Sequence, residues 1–271
     1  MVGYAKIRLK QSQKHAKILK RKVKERTKQL EKMNNELAEI NAAQNRFFTI
    51  ISQDLRNPFS AVQGLADLLK SYYDMLDDEE KKGYIDEIHS TTGLLNKILE
   101  NLHQLSGIQN DHLGDEPSSF QLLDIIQEQI QVVEHAAQTK QIHIDNQVND
   151  DIKIFADANL LMILIEKLLS NAIKYSHPES CIKIKAHKQQ DITELCIIDQ
   201  GVGIPQANLE KLFDMENNHL TPGTANEKGT GLGLLICKVI VDKNNGNITI
   251  ESEQGKGTSV FVRLPSSQKK D

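Results

Sequence analysis

From Leu9 to Phe47 the apolar positions follow a heptad in steps of three and four: Leu9, Ala16, Leu19, Val23, Leu30, Met33, Leu37, Ile40 and Phe47. Ser12, Arg26 and Gln44 interrupt the seam, and no Pro or Gly breaks it after Gly3. The pattern predicts one long helix, and a heptad seam needs a partner strand. A second copy of the chain, in a parallel two-stranded coiled coil, is the simplest partner. The alternative is a lone amphipathic helix laid on the chain's own core.

Beyond residue 47 the stripe widens. At about 100° per residue, Phe47, Ile51, Leu55, Phe59, Val62, Ala66 and Leu69 share one face, and Arg46, Thr49, Gln53, Arg56, Asn57 and Ser60 the opposite one. Gln53 is thereby predicted to face solvent. Pro58 removes one i to i−4 hydrogen bond and should bend the helix just beyond that point. Residues 71–80 form a polar turn, and a second helix runs to about His112 on the stripe Ile85, Ile88, Leu95, Ile98, Leu102 and Leu105. Two such hairpins from two chains make a four-helix bundle.

After a linker at 114–119, the pattern mixes periods. Phe120 reads as a helix entry, and helices are predicted over 122–138, 160–175 and 232–244. Strands are predicted over 142–148, 182–187, 194–198, 247–252 and 259–264. The fold class is therefore α+β and multidomain. A coiled-coil helix occupies 1–45 and a helical hairpin 46–113. An α/β sandwich follows at 120–266, with a tail at 267–271.

Composition narrows the function classes. Charged residues at 26% and hydrophobic ones at 39% are ordinary for a soluble chain, and the absence of Trp fits packing on Leu and Ile. No run approaches the roughly 20 apolar residues that span a bilayer, and no secretory signal is legible. Cys181, Cys196 and Cys237 are isolated, without metal-ligand spacing, and read as buried thiols in a reducing compartment. The net charge of −4 hides an asymmetry: residues 1–32 carry 12 Lys/Arg against Glu25 and Glu31, so +10 there and −14 elsewhere. On a coiled-coil helix this reads as a solvated face close to a membrane's cytoplasmic side, rather than a nucleic-acid patch.

Three glycine-rich segments carry the candidate chemistry. Asp199-Gln200-Gly201-Val202-Gly203-Ile204 follows a predicted strand, so Asp199 emerges at a sheet end where two glycines permit close backbone approach. Gly229-Thr230-Gly231-Leu232-Gly233-Leu234 opens a predicted helix, and its backbone N–H groups and positive dipole end suit phosphate. It is GxGxG with no βαβ unit around it, so it is not a dinucleotide fingerprint. Gly255-Lys256-Gly257-Thr258 precedes the last strand. Between them, 217–228 (NNHLTPGTANEK) has no apolar periodicity and reads as a lid.

These segments, preceded by LLSNAIKYS at 168–176, resemble in order and spacing the nucleotide boxes of the histidine kinase ATPase domain. FFTIISQDLRNPFS at 47–60 resembles the same family's H-box, with Asp54, Leu55, Arg56, Asn57 and Pro58 fitting and Gln53 standing where the phospho-acceptor histidine is found. The resemblance covers about 40–265. It implies ATP or ADP with Mg²⁺ as cofactors and Asn171 as the Mg²⁺ ligand. Lys174 and Tyr175 would approach the phosphates and adenine edge, and Asp199 would accept from the adenine amino group. Gly201, Gly203, Lys228, Gly229, Thr230, Gly231, Leu232, Gly233 and Thr258 would complete the nucleotide site, and 209–213 would anchor the lid. A second N-box asparagine is replaced by Lys167, which cannot ligate Mg²⁺.

The resemblance also implies a homodimer that passes phosphate to a response regulator. Asp54 would be the general base, and Asn57 the residue that positions water for dephosphorylating that regulator. A carboxamide has no nitrogen lone pair to attack with, so Gln53 predicts loss of autophosphorylation. It reads as an engineered replacement or as a natural pseudokinase acting as scaffold; His89, His103 and His112 lack the context to substitute. A freestanding ATPase would not explain the hairpin, nor a pure scaffold the ordered boxes. The immediate basic helix suggests a cytoplasmic fragment of a sensor whose membrane part lies upstream.

Overall fold

The computed structural model describes residues 2–109, 116–209, 211–213 and 221–267, with side chains in the first fifty residues limited to 19–35, 38 and 49. Two compact units divide it, Met1–Asp54 and Leu55–Asp271. Helix α1 (Val2–Tyr72) begins in the first and contains Pro58. Of the heptad positions, Leu19, Val23, Leu30 and Met33 are 57–65% exposed, so the seam is uncovered in a single chain. Leu9, Ala16, Leu37, Ile40 and Phe47, like Arg46, lie outside the described side chains.

In the second unit a short turn leads from α1 to α2 (Asp78–Gln109), forming a helical hairpin. The turn closes through Met75 N–H to the Tyr72 carbonyl. Asp77 and Glu80 build a reciprocal capping box, at 2.8 and 3.0 Å, and Asp78, Glu79 and Glu80 oppose the positive end of the helix dipole. Along α2 the buried positions are Thr91, Ile98, Asn101, Leu105, Gly107 and Ile108, whereas Ile85 is 53% exposed. Phe59, placed on the apolar face by periodicity, is also exposed. Both remain open in one chain, as the faces of half a bundle would. His112 and Gly114 lie outside the described residues.

Next come β1 (Ser118–Gln121), α3 (Leu122–Thr139), β2 (His143–Asn146), β3 (Lys153–Ala156), α4 (Ala158–Tyr175), β4 (Cys181–Gln189) and β5 (Ile192–Ile198). The chain then continues through α5 (Gln206–Leu209), α6 (Gly233–Lys243), β6 (Asn247–Glu253) and β7 (Gly257–Pro265). Phe120 is thus in a strand rather than a helix entry, because Ser118–Gln121 pairs antiparallel with β3. The main sheet has the order β2-β4-β5-β7-β6, parallel at β2/β4 and antiparallel elsewhere.

Helices α3, α4 and α6 cover the sheet. Leu160, Leu161, Leu164, Ile165, Leu168 and Leu169 of α4 are at most 2% exposed against Ile182, Ile184, Leu195 and Ile197 of the sheet and Ile236 and Ile240 of α6. Truncating one such leucine to alanine costs about 2–5 kcal/mol. Asp157 caps α4 by accepting from Leu160 N–H at 3.1 Å. Cys196 and Cys237 are buried as expected, with burial raising the two thiols to about 11 and about 12, whereas Cys181 is only partly covered.

Candidate functional site

The buried stripe of α4 ends at its C-terminal turn, which delivers Asn171, Lys174 and Tyr175 to the carboxyl edge of β5. There Asp199, 8% exposed, follows the strand. Its Oδ1 accepts from Gly201 N–H at 2.9 Å and Thr258 N–H at 3.1 Å, while its own N–H donates to the Thr258 carbonyl at 2.8 Å. Among the described residues nothing donates to Oδ2. Burial lifts this carboxyl to about 6, with the two N–H donors pulling the other way.

Gly201 lies so close to the Tyr175 carbonyl that a Cβ would collide with backbone, and Val202 N–H donates to that carbonyl at 3.1 Å. The glycine is therefore required by the approach of the turn to α4. Gly203 is packed in the same way against the Glu253 carbonyl. Thr258 also exchanges a hydrogen bond with Ser252, whose hydroxyl donates to the Gly257 carbonyl and accepts from Ile204 N–H.

The second glycine segment reaches the same place from α6. Asn171 lies within 3.6 Å of where a Gly233 side chain would start, and Gly229 faces the Lys174 ammonium. Gly231 has φ +73°, a conformation that favours glycine. Leu232 is buried at the N-cap of α6. Lys174 Nζ sits 3.0 Å from the Tyr175 hydroxyl and over its ring.

Sequence reasoning thus identified residues that the fold does bring together: Asn171, Lys174, Tyr175, Asp199, Gly201, Gly229, Gly233 and Thr258. Two predicted members point elsewhere. Lys228 pairs with Glu87 at 2.8 Å, and the Thr230 hydroxyl accepts from Asn101 Nδ2 at 2.8 Å, both on α2. Lys167 pairs with the adjacent Glu166 at 3.1 Å. Of the predicted lid, residues 217–220 lie outside the described residues; Leu209 ends α5 and 211–213 form a turn.

On α1, Gln53, Arg56 and Asn57 are exposed, as periodicity required. Asp54 is half-buried, and burial raises its carboxyl above the ordinary range, which makes it a better proton acceptor once ionised. Sequence reasoning missed Lys140, Ser252, Glu87 and Asn101, none of which carries a local pattern.

Comparison with known proteins decides the family. Residues 43–111 match the His Kinase A (phospho-acceptor) domain, and residues 156–268 match the histidine kinase-, DNA gyrase B- and HSP90-like ATPase. The chain belongs to the sensor histidine kinases. It is 28% identical over 258 residues to the circadian input-output histidine kinase CikA of Synechococcus elongatus, a match covering 94% of this chain and 34% of that protein. It is 28% identical over 241 residues to the sensor histidine kinase RcsC of Escherichia coli, covering 87% and 25%. The chain thus spans only about a quarter to a third of those two proteins.

Among solved structures, histidine kinase ThkA in complex with response regulator protein TrrA aligns with a TM-score of 0.64 at 22% identity, over 80% of this chain and 60% of that one. Acinetobacter baumannii histidine kinase AdeS aligns at 0.59 and 20%, over 79% and 98%. These two support the fold of the kinase core. Its ATPase domain implies ATP binding. Among the described residues no three His, Cys, Asp or Glu side chains converge on a metal site, so a divalent cation would depend on Asn171 and the nucleotide's own phosphates. No helix among those residues is long and apolar enough to cross a membrane.

Proposed function

We propose that this kinase core binds ATP or ADP with Mg²⁺, forms a parallel homodimer and docks a response regulator, but does not phosphorylate itself. Gln53 stands at the acceptor position and lacks a nucleophilic nitrogen. The observation that carries nucleotide binding is Asp199: Oδ1 is saturated by two backbone donors and Oδ2 is left for the adenine amino group. Bound ATP supplies the γ-phosphoryl group. Asn171, Lys174, Tyr175 and the Gly229–Gly233 backbone orient and neutralise the phosphates, while Gly201, Gly203 and Thr258 shape the base end. Lys228 and Thr230 join them on leaving Glu87 and Asn101. Asp54 would deprotonate an acceptor imidazole.

ThkA was captured with a response regulator, which supports the same class of partner here. Asn57, exposed on α1, would orient a water against a regulator's phosphoryl group, an activity that does not need position 53. The expected result is ADP binding in calorimetry with no stable label from γ-labelled ATP. An absence of binding at millimolar ADP removes the reading.

Two further outcomes follow from particular residues. Leu30 is 65% exposed on the open seam, so Leu30→Lys with Leu37→Lys places charge at two equivalent seam positions one heptad apart and weakens the dimer. Light scattering at micromolar concentration reads this; a monomeric mass for the unchanged chain contradicts the dimer. Lys167 occupies the place of a second amide, so Mg²⁺ should enhance ADP affinity less in this chain than in Lys167→Asn. Equal Mg²⁺ dependence in calorimetry would mean that position 167 does not influence the cation.

A further inference from the structure

Lys140 is a lysine with 7% of its side chain exposed, at the C-cap of α3. Burying an ammonium is costly unless its donors are used, and this one uses them fully. Nζ donates to the Ile173 carbonyl at 2.9 Å, the Lys174 carbonyl at 2.8 Å and the Thr224 hydroxyl at 2.8 Å, and pairs with Glu227 at 2.7 Å. Two of these partners are orphan carbonyls in the last turn of α4, a turn that presents Lys174 and Tyr175. The other two belong to residues 221–228. Thr224 donates onward to the Ser176 carbonyl, and its N–H to the Lys174 carbonyl at 3.1 Å. Glu227 accepts from Ala225 N–H at 2.8 Å. At the far end Tyr175 donates its hydroxyl to the Thr221 carbonyl at 3.3 Å.

We infer that Lys140 is a positioning residue for the nucleotide site: one buried cation clamps the C-terminal turn of α4 to residues 221–228 and so fixes where Lys174 and Tyr175 stand. The inference rests on the proposed nucleotide site. The donors of Lys140 are taken up by protein acceptors, so it acts through the backbone carbonyls it holds. Glu227 fits the role: burial would raise its carboxyl, but the bonds from Lys140 and from backbone N–H groups hold it below the ordinary range, so it stays charged at neutral pH.

The test uses the full chain, ADP calorimetry and hydrogen exchange. Lys140→Met removes the cation and keeps the stem; it should raise the ADP Kd about tenfold, the factor expected when the competent arrangement is held about a tenth of the time. Because that variant leaves a charge unpaired and can fail to fold, a second variant carries the test. Glu227→Ala with Thr224→Val keeps Lys140 on the two α4 carbonyls and removes the side-chain acceptors that residues 221–228 offer it, together with the Thr224 bond to the Ser176 carbonyl. It should raise Kd by a similar factor in protein that is still folded at the assay temperature, with a lowered Tm because the buried ammonium loses its counter-ion, and the amides of Gly223, Thr224 and Asn226, hydrogen-bonded here, should exchange faster. An unchanged Kd in the double variant overturns the inference, as does faster exchange of these amides without loss of affinity. Failure of the unchanged chain to bind ADP would instead strike the nucleotide site itself.

Discussion

Gln53→His should turn a chain that takes no label from ATP into one that does, and the product should be acid-labile and base-stable, as a phosphoramidate is. The change supplies the one missing part. An imidazole nitrogen at position 53 has the lone pair that the carboxamide lacks. Asp54 follows it directly, with a carboxyl that burial raises and so makes a stronger base when ionised. Gln53 is already exposed on α1, where a phosphoryl donor can reach it. General-base help and positioning account for much of phosphoryl transfer, so the gain should be from background to stoichiometric labelling of the acceptor. If Gln53→His binds ADP normally yet stays unlabelled, the loss has a second cause. Lys167, tied to Glu166 instead of offering an amide, becomes the first suspect, and a natural pseudokinase the better reading. If the unchanged chain labels, another nucleophile is at work.

The helices were legible because their periods are long: α4 and α3 declare themselves within a residue or two of their ends by apolar spacing alone. Strand β1 was not, since Ser118–Gln121 offers one apolar residue and exists by pairing with Lys153–Ala156, some thirty-five residues on. Such short non-local pairs leave no period to read. The site shows the same division. Glycine positions around Asp199 and ahead of α6 follow from what backbone approach and helix N-termini require, and those residues do converge. The engagement of Thr230 by Asn101 and of Lys228 by Glu87 depends on how α2 meets α6, more than a hundred residues apart in sequence. Lys140 is the sharpest case. In the sequence it is one lysine after a polar stretch, indistinguishable from a solvated helix end; only the fold brings two carbonyls, a hydroxyl and a carboxylate to it.

Asp199→Asn should weaken ADP binding by roughly 100-fold, the scale set by a charge-assisted hydrogen bond at a buried site. Oδ1 must stay an acceptor for Gly201 and Thr258 N–H, so the new amide places its NH₂ where Oδ2 was, donor against the adenine donor. Protonation does the same to the native residue. With its carboxyl near 6, Asp199 gains a proton on acidification below about that pH, and affinity should fall there by up to tenfold per pH unit. The ligand-free chain responds with the opposite sign. A raised carboxyl contributes stability that is fully present below the unfolded value near 3.8 and is lost as pH rises through about 6, so this group stabilises the apo domain as pH falls across that window. Affinity and this component of apo stability should therefore move in opposite directions between pH 7 and 5. Asp199→Asn should remove both trends, the second read as the difference in denaturation between the two proteins. An ADP affinity that is flat from pH 7.5 to 5, or equal in the two proteins, would show that Asp199 is not the adenine acceptor and would leave the glycine segments without a base to hold.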